Sequence, residues 1–247
     1  MQDRISGMKN AIVTGSTKGI GKAIAIRLLK EGYFVIVNYS NDEEAAKAFK
    51  VEAEEYEDRY YIIKENLSEY ETAMNFVKKV KERISQIDCI VFNCGMTDRS
   101  AFRDITKDSW EQVMNTNLNV PFYVLQRLDD CLVPGGNIIF IGSVLGIYPH
   151  ASSLGYAVSK AAVHQMAKEL VKVFAERNIT VNAIASGFVD TPWQSTKSKE
   201  QKKRIEDKIA LKRFGYPEEI ANLCMAIIST HYINGAVLEI TGGYSYR

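Results

Sequence analysis

The chain has 247 residues, of which 46% are hydrophobic and 25% are charged, as in an ordinary soluble globular protein. Its 31 Lys and Arg residues balance 30 Asp and Glu residues to a formal net charge of +1, which argues against nucleic acid as the main partner. A chain of this length can bury about 75% of its unfolded surface, so it needs no metal ion or disulfide to fold.

Strand-like apolar runs alternate with helical patterns along the chain. The strand patterns are rich in Ile, Val and Phe and lie at Asn10–Thr14, Phe34–Asn38, Tyr60–Lys64, Asp88–Asn93, Asn137–Ile141, Thr180–Ile184 and Ala236–Ile240. The helical patterns lie at Gly19–Glu31, Asp42–Glu55, Glu71–Ile84, about Asp108–Leu132, about Leu154–Arg177 and Glu218–Ile228. Strict alternation with continuously apolar strands is typical of a parallel sheet covered on both faces. We predict an α/β fold, a doubly wound parallel sheet of seven strands, as a single domain over residues 1–247.

The segment from Ala185 to about Gly215 interrupts this alternation and is predicted to be irregular. Long segments of this kind are usually lids or binding segments, so we predict a substrate lid here. Within it, Lys197–Arg204 carries five cations in eight residues. Both a solvated helix face and a surface that attracts an anionic substrate agree with this run.

Two segments were natural candidates for a targeting or membrane-spanning role, and neither has the required pattern. Met1–Lys9 contains an acid and a base but no apolar stretch, which predicts no signal peptide. The longest uncharged stretch, Cys131–Ser159, is interrupted by Pro134, Pro149 and five glycines, which predicts no membrane span. We therefore expect a cytoplasmic protein that does not interact with membranes.

The spacing of cysteines and histidines predicts neither disulfides nor a metal site. The cysteines form no CxxC pair and are expected to be reduced thiols, mostly in the core: Cys89, Cys94, Cys131 and Cys224. His150, His164 and His231 are scattered and lie near no cysteine pair, so we predict that no metal is bound.

Three glycines follow the first predicted strand and open the first predicted helix. Gly15 would permit a tight turn, Gly19 would let the backbone approach a pyrophosphate, and Gly21 would let the helix pack closely on the sheet. Free N–H groups at the start of the helix would then face the phosphates. This predicts a dinucleotide-binding turn made of Gly15, Ser16, Thr17, Lys18, Gly19, Ile20 and Gly21.

The end of the second strand bears on the choice of dinucleotide. An acid there would bind the ribose 2′-hydroxyl of NAD, but the strand ends in Asn38, Tyr39 and Ser40. Asp42 lies further on, where it is better placed to cap the next helix. Lys18 could neutralise a 2′-phosphate, so the sequence favours NADP, with NAD and a merely solvated Lys18 as the alternatives.

Two Tyr-x-x-x-Lys motifs occur, and only one of them suits catalysis. Tyr60 and Lys64 lie in a predicted strand, where four residues span about 13 Å, so they cannot act on one atom. Tyr156 and Lys160 lie in a predicted helix, where residues four apart are neighbours. Ser143 follows the fifth strand, and ligands of such sheets bind beyond the carboxyl ends of the strands.

These three side chains suit the reduction of a carbonyl group. Hydride transfer to a carbonyl leaves an alkoxide that needs a proton, and the reference pKa of tyrosine, near 10, is too high for easy exchange. The Lys160 ammonium and a cationic nicotinamide are expected to lower the pKa of Tyr156. Tyr156 would then be the general acid in reduction and the base in oxidation, while Ser143 holds the carbonyl oxygen.

In this order, the motifs resemble the short-chain dehydrogenase/reductase family over nearly the whole chain, which implies a Rossmann-type fold. The family's helix-bending asparagine, which positions the lysine through a water, matches Asn117. The catalytic residues implied are thus Asn117, Ser143, Tyr156 and Lys160. Besides Tyr156, Lys160 and the residues of the turn and second strand, the implied cofactor contacts are Asn66, Leu67, Asn93, Gly95, Gly187, Val189 and Thr191. The resemblance also implies a homotetramer, paired through the fourth and fifth predicted helices and through the last helix and strand.

The chain departs from the family pattern at four positions. Phe92 and Cys94 stand beside the expected cofactor site, where the family has polar and small residues. Ser186 replaces a proline at the start of the lid, and Asn66 lacks the usual acidic charge. None of these changes removes a chemical group that carbonyl reduction needs.

The sequence indicates the substrate class less specifically than it indicates the chemistry. Four segments are similar to those of 3-oxoacyl carrier-protein and acetoacetyl-CoA reductases: Ile141–Val144, Ile179–Ala183, Lys212–Ala221 and Asn234–Gly243. Lys172 supplies a basic residue in the region where a carrier protein would dock, and Arg127 could face the cleft, whereas Asp129 and Asp130 count against docking. We predict an NADP(H)-dependent reductase of a small ketone or thioester, with 3-oxoacyl thioesters as the first substrate class.

Two alternatives remain open at this point. Tyr148, Phe188 and Trp193 lie where the family forms its substrate pocket, and they could hold the apolar body of a steroid or simply pack the lid against the domain. A hydroxysteroid, polyol or sugar dehydrogenase is therefore the alternative enzyme. The alternative of another class is a nucleotide-binding regulator without catalysis.

Overall fold

A computed structural model describes residues 7–149 and 153–244 of the chain. The prediction of no signal peptide rests on Met1–Lys9, of which residues 1–6 lie outside the described residues. His150 also lies outside them. Within the described residues, the fold is a seven-stranded sheet with helices on both faces.

All seven strands are parallel, in the order β3-β2-β1-β4-β5-β6-β7. The strands are β1 Asn10–Val13, β2 Phe34–Tyr39, β3 Tyr60–Lys64, β4 Ile87–Phe92, β5 Leu132–Ile141, β6 Thr180–Ser186 and β7 Val237–Ile240. The α-helices are α1 Gly19–Lys30, α2 Glu43–Glu52, α3 Tyr70–Arg83, α4 Lys107–Met114, α5 Val120–Arg127, α6 Leu154–Phe174, α7 Lys199–Lys208 and α8 Pro217–Ser229. The predicted α/β class and doubly wound seven-stranded sheet are confirmed.

The core lies on both faces of the sheet because successive strand side chains point to opposite sides. Ile12 of β1 belongs to the core on one face, together with side chains of α3, α5 and α6. Its neighbours Ala11 and Val13 belong to the core on the other face, together with side chains of α1 and α8. Burial on both sides explains why the strands read as continuous apolar runs.

The order of strands reverses between β1 and β4. From β1 the chain proceeds outward through β2 to β3, and it then returns to place β4 on the other side of β1. At such a reversal the connections that follow β1 and β4 diverge to opposite faces and leave a crevice at the carboxyl ends of the strands. The fold therefore predicts a ligand site at this edge of the sheet.

The predicted helix over about Asp108–Leu132 is wrong in its continuity. A π-helical turn at Asn115–Asn119 separates α4 from α5. Pro121 has no N–H to bond to the carbonyl of Asn117, and its ring would crowd that carbonyl in a regular helix. The helix accommodates the proline by widening over one turn.

The same prediction is wrong in its C-terminal end. α5 ends at Arg127, and Asp129 and Asp130 follow in a short 3-10 turn. Acidic side chains are unfavourable at the C-terminal end of a helix, where the helix dipole is negative. Leu132 already belongs to β5, where it pairs with Ile87 of β4.

The segment from Ala185 to Gly215 is less irregular than predicted. β6 continues to Ser186, and α7 occupies Lys199–Lys208. A capping box begins α7, because the Ser198 side chain accepts from the backbone of Gln201 and the Gln201 side chain accepts from the backbone of Ser198. No residue of α7 is buried, so the part of the basic run that lies in α7, residues 199–204, is on a solvated helix face, whereas Lys197 precedes the helix.

Residues 7–149 and 153–244 contain no helix that is long and apolar enough to cross a lipid bilayer. In the same ranges, no group of three or more His, Cys, Asp and Glu side chains could hold a metal ion.

Candidate active site

A cavity of about 490 Å³ lies at the carboxyl ends of the strands. It extends from the end of β2, past the turn between β1 and α1, to the N-terminal part of α6. The predicted site residues that line it are Gly15, Thr17, Lys18, Gly19, Ile20, Asn38, Tyr39, Ser40, Asn66, Leu67, Asn93, Gly95, Ser143, Tyr156, Lys160, Gly187, Val189 and Thr191. The fold thus brings most of the predicted residues to one cavity.

The glycine turn has the close contacts that only glycine allows. Gly15 and Gly19 have φ angles of 60° and 57°, in the left-handed region that favours glycine. A Cβ atom on Gly21 would lie 2.4 Å from the carbonyl oxygen of Gly15 and 2.5 Å from Nδ2 of Asn93. Asn93 Nδ2 donates to that same oxygen at 2.9 Å, so Gly21 lets α1 and the end of β4 meet around the turn.

Two predicted cofactor contacts support the turn from behind and do not line the cavity. Gly21 packs against Gly15 and Asn93. Ser16 is fully buried, donates its hydroxyl to Val13 O at 2.6 Å and accepts from Asn38 N at 3.1 Å.

The start of α1 fits the phosphates of a dinucleotide. The first N–H groups of a helix have no acceptor within the helix, and the Lys18 side chain does not cap this one. Thr17, Gly19 and Ile20 line the cavity at this point. Backbone donors and the positive end of the helix dipole together favour an anion here.

Side chains at the end of β2 make contacts that the sequence analysis did not predict. Asn38 fixes the glycine turn, because its Oδ1 accepts from Gly15 N at 3.1 Å and its Nδ2 donates to Glu65 O at 3.0 Å. Lys18 Nζ lies 2.6 Å from Asp42 Oδ2. Asp42 also caps α2, as predicted, by accepting from Ala45 N at 3.0 Å. The hydrogen bonds from Lys18 and Ala45 hold the pKa of Asp42 below its usual value.

Tyr156 and Lys160 lie one turn apart on α6, with Lys160 Nζ 5.6 Å from the centre of the Tyr156 ring. Lys160 is 4% exposed, and its Nζ donates to Ile141 O at the end of β5 at 2.7 Å. Burial lowers the pKa of Lys160 to about 8. The second motif lies in β3, as predicted, with Lys64 paired to Glu43 away from the cavity.

Ser143 lies two residues beyond β5 and is buried beside Tyr156. Its hydroxyl accepts from Leu145 N at 3.2 Å and forms a hydrogen bond with Tyr156. Burial raises the pKa of Tyr156, and the bond with Ser143 lowers it. The net direction is upward, because loss of hydration outweighs the hydrogen bond. The lowering expected from Lys160 together with a bound nicotinamide stays a prediction.

Asn117 is buried in the π-helical turn and does not line the cavity. Its Nδ2 donates to Met96 O and to Ser159 Oγ, both at 2.9 Å, and its Oδ1 accepts from Met96 N at 2.8 Å. Asn117 therefore connects the segment after β4 to α6, at the residue that precedes Lys160.

Aromatic side chains form one wall of the cavity. Phe188 and Trp193 line it, and the Trp193 ring centre lies 6.1 Å from that of Tyr156. Tyr148, the third aromatic residue predicted there, is not among the described lining residues, and its hydroxyl lies 3.3 Å from Glu239 Oε1 of β7.

Sequence reasoning missed Gln194, which lines the cavity although its side chain is only 6% exposed. Within the described residues its Oε1 atom is buried without a hydrogen-bond partner. Gln194 ends a short 3-10 turn that begins directly after Thr191. Its nearness to Thr191 in the predicted lid was the signal that could have identified it.

The departures from the family pattern are mild in structure. Phe92 was expected beside the cofactor site, but it does not line the cavity. It is a core residue that stacks on Phe140, with ring centres 5.1 Å apart. Cys94 does line it, and burial raises the pKa of its thiol to about 11. The Ser186 hydroxyl donates to Gly142 O at 3.4 Å, which joins the start of the lid to the end of β5.

Comparisons with known proteins agree with this geometry. Residues 9–202 match the family model described as short chain dehydrogenase. A 3-oxoacyl-(acyl-carrier-protein) reductase FabG of Aquifex aeolicus is 33% identical over 247 residues, covering 98% of this chain and 99% of that protein. The RhlG/NADP active-site complex of Pseudomonas aeruginosa superposes with a TM-score of 0.88 at 30% identity, covering 99% of each chain. A short chain dehydrogenase from Burkholderia cenocepacia in complex with NADP superposes with a TM-score of 0.90 at 28% identity, covering 98% of this chain and 99% of that one.

Proposed function

Because the chain belongs to the short-chain dehydrogenase/reductase family, we propose that it is an NADP(H)-dependent oxidoreductase that interconverts a ketone and a secondary alcohol. The first substrate class is the 3-oxoacyl thioesters, carried by coenzyme A or by an acyl carrier protein. One observation carries the proposal: Ser143, Tyr156 and Lys160 meet in the same cavity as the glycine turn.

The residues present fit a dinucleotide along the whole cavity. The glycine turn and the start of α1 offer backbone donors to the two phosphates. Asn38, Tyr39 and Ser40 line the cavity where the adenosine ribose would lie, and Val189 and Thr191 also line it, with Thr191 beside Gly19 of the turn. The chemistry that bound NADPH supplies is transfer of a hydride to the carbonyl carbon of the substrate.

The chain's own residues then bind the substrate oxygen and donate a proton to it. Tyr156 donates its phenolic proton to the substrate oxygen as that atom becomes negative. Ser143, already hydrogen-bonded to Tyr156, donates a hydrogen bond to the same oxygen and holds it in place. The positive charge of Lys160 stabilises the phenolate that remains. Asn117 positions Lys160 by linking α6 to the segment after β4.

Two features support a thioester substrate, and one supports the alternative. The relative from Aquifex aeolicus is named a 3-oxoacyl-(acyl-carrier-protein) reductase. The acidic residues that argued against a docked carrier are paired within the chain, Asp129 with Arg177 and Asp130 with Lys81. The apolar wall of Phe188 and Trp193 favours the alternative, a steroid ketone with a large apolar body.

A substrate panel with NADPH tests the proposal. With acetoacetyl-CoA as substrate, we expect NADPH to be oxidised, which is measured as a loss of its absorbance. Turnover of a sterol ketone without turnover of acetoacetyl-CoA would replace the thioester by the steroid class. Binding of NADPH with no turnover of any thioester, steroid, polyol-derived or sugar ketone would favour the non-catalytic regulator.

Replacing Lys18 by glutamate tests the choice of NADP over NAD. We expect the ratio of kcat/KM for NADPH to that for NADH to fall by about tenfold or more, equivalent to about 1.4 kcal/mol of discrimination. The reason is that a negative charge would replace the ammonium that meets the 2′-phosphate once Lys18 leaves Asp42. Steady-state kinetics with both cofactors measure the ratio.

Lys22→Glu is the matched control, because Lys22 lies four residues beyond Lys18, in α1, pairs with Glu52 and does not line the cavity. The control is expected to keep the wild-type ratio. An unchanged ratio in Lys18→Glu would mean that other residues recognise the 2′-phosphate.

We also propose that the protein is a homotetramer, as the family resemblance implies. Apolar side chains exposed on α5 and α6, among them Phe122, Leu154 and Val158, support self-association through these helices.

A further inference from the structure

A third polar side chain follows the catalytic pair on α6. His164 lies one helical turn beyond Lys160, as Lys160 lies one turn beyond Tyr156, so the three occupy one row on the helix. His164 is 5% exposed and does not line the cavity. Its Nε2 atom accepts a hydrogen bond from the backbone N–H of Ser143 at 3.4 Å.

The loop that carries Ser143 is shaped around this imidazole ring. A Cβ atom on Gly142 would lie 2.2 Å from Nε2 and 2.7 Å from Cδ2 of His164. A Cβ atom on Gly146 would lie 3.0 Å from Cε1 of the same ring. The ring thus occupies the hollow between the end of β5 and the 3-10 turn Val144–Gly146, where two glycines let the backbone approach it.

The state of the ring suits an acceptor. The pKa of His164 is lowered to about 4, mainly by burial and to a lesser extent by the nearby charges of Lys160 and Lys168. The imidazole is therefore neutral at ordinary pH. A neutral ring that accepts at Nε2 carries its proton on Nδ1.

We propose that His164 is a positioning residue, whose neutral imidazole binds the amide of Ser143 and fills the hollow of its loop so that the Ser143 hydroxyl is aimed at Tyr156 and the substrate oxygen. The inference rests on the proposed function, because it assigns a role through Ser143. The backbone of Ser143 is extended, with φ −156° and ψ 147°, so fixing its amide fixes the direction in which its side chain leaves the strand end.

Loss of this contact affects the reaction more than binding. A misplacement of about 1 Å near the reacting atoms can lower a rate by about 10²-fold. A loop that remains folded but loses one anchor would show part of that effect. The proposed function places the cofactor phosphates at the glycine turn and not at the Ser143 loop that His164 contacts, so the affinity for NADPH is expected to stay unchanged.

The test compares two replacements that differ in the acceptor. His164→Gln keeps an amide oxygen able to bind the Ser143 N–H, whereas His164→Met fills similar space without a comparable acceptor. With the ketone that the substrate panel identifies, we expect His164→Met to lower kcat by about tenfold at unchanged NADPH Kd, and His164→Gln to stay within about threefold of wild type.

A double-mutant cycle with Ser143→Ala separates positioning from general loss of structure. If His164 acts through the Ser143 hydroxyl, His164→Met should cause little further loss of kcat once that hydroxyl is gone. An equal loss of kcat in both backgrounds would overturn the inference, as would equal kcat for the Met and Gln variants. Wild-type kcat in Ser143→Ala itself would overturn the proposed role of Ser143, which the other outcomes leave intact.

A measurement on the unaltered protein covers the case in which a variant does not fold. In protein labelled with ¹⁵N-histidine, NMR at pH 6 should find His164 neutral, with its proton on Nδ1. A protonated ring, or a neutral ring with its proton on Nε2, would overturn the inference because neither can accept at Nε2.

Discussion

Replacing Tyr156 by phenylalanine is expected to lower kcat by about 10²- to 10⁴-fold, the range typical of a removed general acid. The change deletes the proton donor and its hydrogen bond with Ser143. It keeps the aromatic ring, whose centre lies 6.1 Å from that of Trp193, so the cavity wall is preserved. The Kd for NADPH, measured by fluorescence titration, should therefore stay within about threefold of wild type.

The chain supplies a matched control for this change. Tyr60 begins the second Tyr-x-x-x-Lys motif, in β3, and its ring packs edge-on against Phe49 outside the cavity. Tyr60→Phe removes the same hydroxyl group and should keep wild-type kcat. Full turnover in Tyr156→Phe would refute the assigned acid, and a wild type that binds NADPH but reduces no ketone would support the regulator.

The layout of the sheet was predictable from the sequence, because strands buried on both faces leave a simple signal. Ile12 and its neighbours Ala11 and Val13 are all apolar since both faces are covered. Tyr156 and Lys160 were identifiable for a similar reason, because residues four apart meet only on a helix. Local spacing was sufficient in both cases.

The errors arose where a distant contact decides the local structure. The π-helical turn is the exception, because its cause is local: Pro121 acts four residues earlier, at Asn117. Tyr148 belongs to the expected pocket by position, yet it turns toward Glu239 of β7, 91 residues away. Phe92 faces the core because it stacks on Phe140 of the neighbouring strand. No pattern within a single segment predicts such pairings.

His164 lies between these two cases. Its place in the row of Tyr156 and Lys160 follows from helical spacing alone, so the sequence could have singled it out. Its contact with Ser143 could not be foreseen, because it depends on how closely the loop approaches through Gly142 and Gly146. Glycines in that loop were visible in the sequence, but the side chain that they admit was not.

Above about pH 8, kcat/KM for NADPH is expected to fall about tenfold per pH unit, because this parameter reports groups of the free enzyme. Burial lowers the pKa of Lys160 to about 8, so its ammonium is charged below that pH and becomes neutral above it. Burial raises the pKa of Tyr156, so the phenol keeps its proton over this range. The alkaline loss therefore belongs to Lys160, whose charge is needed to stabilise the phenolate.

Lys160→Met separates this titration from other causes of alkaline loss. The variant should lose about 10²-fold in kcat at pH 7, comparable to removal of one electrostatic donor, and its kcat/KM should no longer bend near pH 8. Lys64→Met is the control, since the hydrogen bond with Glu43 raises the pKa of Lys64 and its side chain lies outside the cavity. A bend near pH 8 that persists in Lys160→Met would assign the titration to another group, and the electrostatic role of Lys160 would then have to be abandoned.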